Sequence, residues 1–347
     1  MSRYAKATAL YSVAHFAVDF SCAFFIFSKL QSVGQLALCL LIYNFFAFAM
    51  QMPLGIIADI TDKNHIFAAL GCFIVAISVF FGASPLVLCV FAGMGNGLFH
   101  IGAGRDILCN CENRFSELGI FVSPGAVGLY IGTLAGKTLA VTFLVPFFLL
   151  LATGAIILWF IPAQSKAKQI SNPKLSFKSI SAIAVIMLIC LFLVVCLRSY
   201  VGMTLSFPWK ENGLWAFILV LALALGKAAG GILADKLGAV PVSLISLLAS
   251  ALLFFFYKTP ICGVLSVFFF NMTMPISLGA VARLMPSAKG FGFGLLTFGL
   301  FIGILPIVLG LPLSLNLPWG FAAASIVSCL LLCVGLRQSK QESRHGN

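Results

Sequence analysis

Apolar residues run along this chain in long unbroken blocks, and short polar clusters separate one block from the next. Twelve blocks can be marked, at residues 8–28, 33–56, 66–84, 85–104, 117–138, 140–161, 179–202, 213–233, 240–257, 260–282, 290–312 and 317–336. A helix needs about 20 mainly apolar residues to cross the hydrocarbon of a bilayer, and most of the blocks are about that long. The pattern predicts an all-α integral membrane protein of twelve transmembrane helices with short connectors.

The polar stretch 162–178 (PAQSKAKQISNPKLSFK) is the one clear linker. It divides the chain into an N-terminal six-helix half, residues 1–161, and a C-terminal half, residues 179–347, that ends in a short polar tail.

Composition sharpens the choice of solvent. Hydrophobic residues make up 61% of the chain and charged residues 9%, against about 45–50% and about 25% in soluble domains. The net charge of +12 could suggest nucleic acid, but its placement points to the bilayer. Fifteen of the 21 Lys and Arg fall on one alternate set of loops, and four (Lys29, Lys137, Lys210 and Lys258) on the other. Such asymmetry is the positive-inside signal. It places both termini in the cytoplasm of what we expect to be a prokaryotic plasma membrane, and it requires an even number of spans. Most of the eleven cysteines lie inside apolar blocks, where cysteine acts as a small hydrophobe. The loop pair Cys109 and Cys111 is too close for zinc spacing, so neither a metal nor a cofactor is expected.

The chain also reads as a duplication. Residues 231–238, GILADKLG, have a fainter copy in GIIADITD at 55–62, and Asp59 and Asp235 stand about half a chain apart. This loop motif, carried by Gly55, Asp59, Gly231, Asp235, Lys236 and Gly238, resembles the signature G-x-L-A-D-[RK]-x-G of the major facilitator superfamily. The copy has Ile60 where a base is usual and Asp62 where glycine is usual. Within that superfamily the chain is similar to the fosmidomycin-resistance-like group, through His15-x-x-x-Asp19, the G-x-G-x-x-x-F-H of Gly93 to His100, and Arg198-Ser199. The resemblance implies two pseudo-symmetric six-helix bundles (the major facilitator fold) and a cavity lined by the first, fourth, seventh and tenth spans, helped by the second, fifth, eighth and eleventh. His15, Asp19, His100, Arg198 and Lys227 all fall on such spans.

Ionisable groups at membrane depth are costly and mark function by default. Asp19 lies about 16 Å along its helix, and His15, four positions earlier, shares its face. The pair is the expected proton-coupling element; a packing hydrogen bond is its structural alternative. Arg198 and Lys227 are cavity candidates that snorkelling would equally explain. Two cations against one carboxylate suit an anionic or zwitterionic solute. Tyr43, Asn44, Asn96 and Asn271, with His100, are expected to orient it; Tyr11 and Gln51 are further hydrogen-bonding candidates.

The helix starts near 287–292 and 116–119 are the expected partners of Asp59 and Asp235, because helix N-termini attract carboxylates. Glu117 would repel Asp235.

These readings converge on a monomeric secondary transporter with no catalytic residues, moving a small drug or metabolite; efflux is only what the resistance-like resemblance implies, and the residues leave import or export open. A non-transporting receptor and a lipid-handling protein on the same scaffold are the alternatives. The His15-x-x-x-Asp19 spacing also occurs in acyltransferases, but an apolar helix offers no catalytic loop.

Overall fold

The computed structural model describes residues 3–30, 36–111, 114–161, 181–311 and 317–337. The linker expected at 162–178 lies outside the described residues, as does the tail after 337. Among the described residues twelve helical segments follow one another: α1 Arg3–Lys29, α2 Leu36–Thr61, α3 Asn64–Phe81, α4 Pro85–Asn110, α5 Phe115–Thr138, α6 Leu144–Phe160, α7 Ala182–Thr204, α8 Gly213–Leu237, α9 Ala239–Phe254, α10 Pro260–Leu284, α11 Lys289–Val308 and α12 Pro318–Gly335. Ten are long and apolar enough to cross a membrane, while α6 and α9 are shorter apolar helices. Large apolar side chains such as Trp159, Phe160 and Ile245 remain exposed on the outside. That is the surface a chain solvated by lipid presents.

Packing repeats with a shift of six helices. The contacts of α1 with α5, α3 with α4 and α3 with α6 recur as α7 with α11, α9 with α10 and α9 with α12. Two six-helix bundles result. They meet mainly where α2 lies on α11 and α5 lies on α8.

Small residues make the close approaches possible. Added Cβ atoms at Gly128, Gly132 and Gly136 of α5 would strike the backbone of Phe16, Phe20 and Phe24 on α1. Between the halves, Gly55 faces the Gly290 backbone, Gly294 faces Gln51, and Gly231 faces the Phe115 carbonyl. Without a hydrophobic drive between helices in lipid, such backbone proximity is what lets dispersion hold them.

Two helices are locally irregular. A five-residue π-helical stretch, Phe45–Ala49, interrupts α2, and the buried Gln51 side chain donates to the Ala47 carbonyl there at 2.5 Å. In α5 the helix breaks at Ser123, because Pro124 has no N–H to continue the ladder.

Candidate functional site

The break in α5 organises the polar interior. Carbonyls next to the break lose helical partners and turn to neighbouring helices. The Ile120 carbonyl accepts from Ser12 at 3.3 Å, that of Phe121 bonds His15 Nδ1 at 2.8 Å, and that of Val122 accepts from Lys227 Nζ at 3.2 Å. Broken helices at membrane depth are tolerated where protein or a cavity re-satisfies the freed groups. Three consecutive carbonyls therefore tie α1 and α8, one helix from each half, to a single point on α5.

Around that point His15, Asp19, Asn96 and His100 form a cluster. His15 Nε2 is 3.2 Å from Asp19 Oδ2 and 2.9 Å from His100 Nε2, and His100 Nε2 is 3.9 Å from Asp19 Oδ1. Asn96 donates to Asp19 Oδ1 at 3.0 Å, and His100 Nδ1 meets the Asn96 carbonyl at 2.9 Å. The structure thus brings together the two predicted coupling residues and two of the predicted cavity residues. Tyr43, half-buried on α2, packs against the apolar group of Ile26, Leu30, Cys39, Leu88 and Cys89.

Arg198 stands apart from the cluster. It is buried, donates to Thr273 at 2.8 Å, and lines a cavity of about 200 Å³ with Tyr130, Lys210 and Asn271. Burial and this bond exclude snorkelling to headgroups as the account of Arg198. Asn271 lines the same cavity but gives its amide to Val267 of its own helix, and Asn44 likewise donates to Leu40. Asn44 is therefore a helix-backbone partner in this conformation.

At the other end of the molecule both loop-motif aspartates cap helix starts in the opposite half. Asp59 accepts from the backbone N–H groups of Gly290 and Phe291 at 2.9 and 2.8 Å; Asp235 accepts from those of Phe115 and Ser116 at 2.7 and 2.9 Å. Glu117 does not oppose Asp235. Its carboxylate turns inward, takes the Thr8 hydroxyl at 3.1 Å and pairs with Arg114. Lys236 is exposed, and Gly238 holds a positive φ of 93° after α8.

The departures in the first copy also have a physical account. Asp62 adopts φ 54° at the end of α2, the left-handed conformation that glycine usually fills and that Asp tolerates. From there it pairs with Arg105 at 2.5 Å, and Arg105 also reaches Asp59 at 2.7 Å and Asn64 at 2.7 Å. The base missing at Ile60 is thus supplied from α4. Arg105 counts as a loop residue by sequence, since the apolar block stops at 104, but α4 continues to Asn110 and buries it. Beside it Asp106 accepts from the buried Tyr11 hydroxyl at 3.0 Å. Sequence spacing gave no sign of these pairings, whose members lie more than 40 positions apart. Pro124 was the one visible signal for the freed carbonyls.

No family model and no curated protein matches the sequence. Solved structures do match the fold. The Escherichia coli fucose:proton symporter superposes with a TM-score of 0.74 at 13% identity, covering 96% of this chain and 98% of the symporter. A second structure of that major facilitator superfamily transporter, in its outward conformation, gives 0.70 at 13% identity over 96% and 98% of the two chains. A bacterial homologue of the iron transporter ferroportin, in its outward-facing state, gives 0.61 at 16% identity over 97% and 99%. The chain is an integral membrane protein with the major facilitator fold.

Proposed function

We propose that this protein is a secondary active transporter that moves a small anionic or zwitterionic solute across a membrane by alternating access. One observation carries the reading: charged side chains from both halves converge on the α5 break while carboxylate caps close one end of the molecule. Lys227 of α8 bonds the carbonyl next to the one that holds His15 of α1. Rocking of one half against the other must therefore remake contacts at the buried cluster. In such folds the site lies at the interface of the repeats and the halves pivot about it.

The cavity around Arg198 is reached from the end opposite the loop motif, where Lys210 and Leu205 line it. Buried cationic Arg198 with Asn271 and Tyr130 suits a carboxylate or phosphate group, since a guanidinium offers forked donors. The cation held at His15, Asp19 and His100 is the driving ion of this reading, and a proton is its smallest occupant. The Lys and Arg distribution supports cytoplasmic termini, and a prokaryotic plasma membrane is the membrane of this reading. Efflux is the direction that the resistance-like resemblance implies. The fold neighbours, a sugar symporter and a homologue of a metal transporter, support transport rather than catalysis.

Reconstituted protein should accumulate or expel an anionic solute in liposomes when a pH gradient is imposed. The solute is first sought by thermal-shift screening, because a ligand that binds only the folded state raises its stability. Arg198→Gln and Lys227→Gln are each expected to weaken that solute's binding by about tenfold, the loss of roughly 1.4 kcal/mol. Equal affinity in wild type and both variants would remove the anion site, and binding without movement would make the protein a receptor.

A further inference from the structure

The geometry points to a binding site for one divalent first-row transition-metal ion, of the zinc type, formed by His15, Asp19 and His100. The inference rests on the reading of this cluster as the protein's cation site and names a second class of ion that the site takes.

Hydrogen-bond bookkeeping comes first. A backbone carbonyl only accepts, so the bonds of His15 Nδ1 to Phe121 O and of His100 Nδ1 to Asn96 O require an N–H on both Nδ1 atoms. In the neutral rings, both Nε2 atoms then carry lone pairs. These two lone-pair nitrogens face each other at 2.9 Å, with the Asp19 carboxylate against both. Two acceptors and an anion at that separation repel unless a cation lies among them.

The spacing also suits a metal. An ion bound at about 2.0–2.2 Å by imidazole nitrogen and carboxylate oxygen in tetrahedral geometry holds its ligand atoms about 3.3–3.5 Å apart. Here the two Nε2 atoms are 2.9 Å apart, with Asp19 Oδ2 3.2 Å from His15 Nε2 and Asp19 Oδ1 3.9 Å from His100 Nε2, and one ligand atom from each residue lies within 4.8 Å of the others. Two histidines and one carboxylate select transition metals over magnesium or calcium, which prefer all-oxygen shells.

The surroundings are those of ligands held in place. Both imidazoles give their other N–H to a backbone carbonyl, and Asn96 donates to Asp19 Oδ1, the second-shell bonds that orient metal-binding side chains. A Cβ added at Gly125 would overlap His15 Nε2 and Asp19 Oδ2, so glycine is what lets α5 pack closely against the cluster and leaves both ligand atoms unobstructed by a side chain. Lys227, bonded to Val122 O nearby, adds positive charge that favours an anionic fourth ligand.

The test uses full-length protein in detergent, purified without a histidine tag and stripped of metal. Titration with Zn2+ against a competing chelator should give one site per chain that excess Mg2+ or Ca2+ does not displace. Co2+ should give the visible absorption of a four-coordinate nitrogen–oxygen site. His15→Gln and His100→Gln, each checked for folding by its elution and thermal transition, should weaken the affinity by at least tenfold. Retained tight binding in the folded double variant would move the metal elsewhere, to His65 or Cys109, and overturn the assignment. So would zero stoichiometry in wild type, or a Co2+ spectrum of six-coordinate oxygen type, neither of which depends on a variant folding. No solute or gradient enters these measurements. A transporter that works on protons alone and binds no metal therefore sinks this inference and leaves the transport reading standing.

Discussion

Arg105→Ala is expected to destabilise the protein by about 3 kcal/mol, the lower part of the range for removing one partner of a buried ion pair. Arg105 is 5% exposed and bonds Asp59, Asp62 and Asn64 together. Truncation leaves the Asp59 carboxylate, whose side chain is 2% exposed, with a full charge and only the two amide donors of α11. Asp62, at 15%, regains some water, which keeps the loss from reaching the top of the range. Lysine in this position keeps the charge but cannot fork between two carboxylates, so Arg105→Lys should fall between wild type and Ala. Adding Asp59→Asn to Arg105→Ala should recover part of the loss, because it removes the uncompensated charge. Reversible unfolding in mixed detergent compares wild type, Arg105→Ala, Arg105→Lys, Asp59→Asn and the double variant. An Arg105→Ala midpoint equal to wild type, or a double variant weaker than the sum of the singles, would show that the network holds no such strength.

The contrast between this network and the helices shows what the chain makes legible. Block length and the near-absence of charge specify the spans, since lipid leaves a backbone no partner but itself; hence twelve helices could be read directly. The caps of Asp59 and Asp235 were also accessible, because a carboxylate after a helix in a duplicated motif seeks the positive end of another helix. The partners of Arg105 were not. Its block ends at 104 by hydropathy, and only tertiary packing draws the next two turns of α4 into the interior beside Asp62.

The cluster divides in the same way. His15 and Asp19 announce themselves by their i, i+4 spacing, whereas His100 joins them only because α4 packs on α1. The role of Gly125 is invisible until the atoms over it are placed. Glu117 shows the opposite error: its charge sign suggested repulsion, but its inward rotamer and Arg114 remove it from Asp235.

Asp19→Asn should preserve folding yet abolish gradient-driven accumulation of solute. Asparagine matches the aspartate in size, and its carbonyl oxygen can still accept from Asn96, so α1 keeps its contact with α4. Its amide, however, is a donor where the carboxylate oxygen was an acceptor. Placed 3.2 Å from His15 Nε2, it satisfies that lone pair directly and takes away the anion that holds a cation between the imidazoles. A site that no longer gains and loses the driving ion cannot link solute movement to the gradient, but the unloaded halves can still rock. Exchange of labelled for unlabelled solute should therefore continue within about twofold of wild type, a difference below roughly 0.5 kcal/mol, while net uphill transport falls to the rate of empty liposomes. Preserved accumulation with its usual pH dependence would take Asp19 out of the coupling mechanism. Loss of exchange together with accumulation in a folded variant would assign it to solute binding instead. His15→Gln separates the two further, because it leaves the carboxylate in place and removes one nitrogen of the facing pair: if the cation is held between the rings, its effect on accumulation should match that of Asp19→Asn.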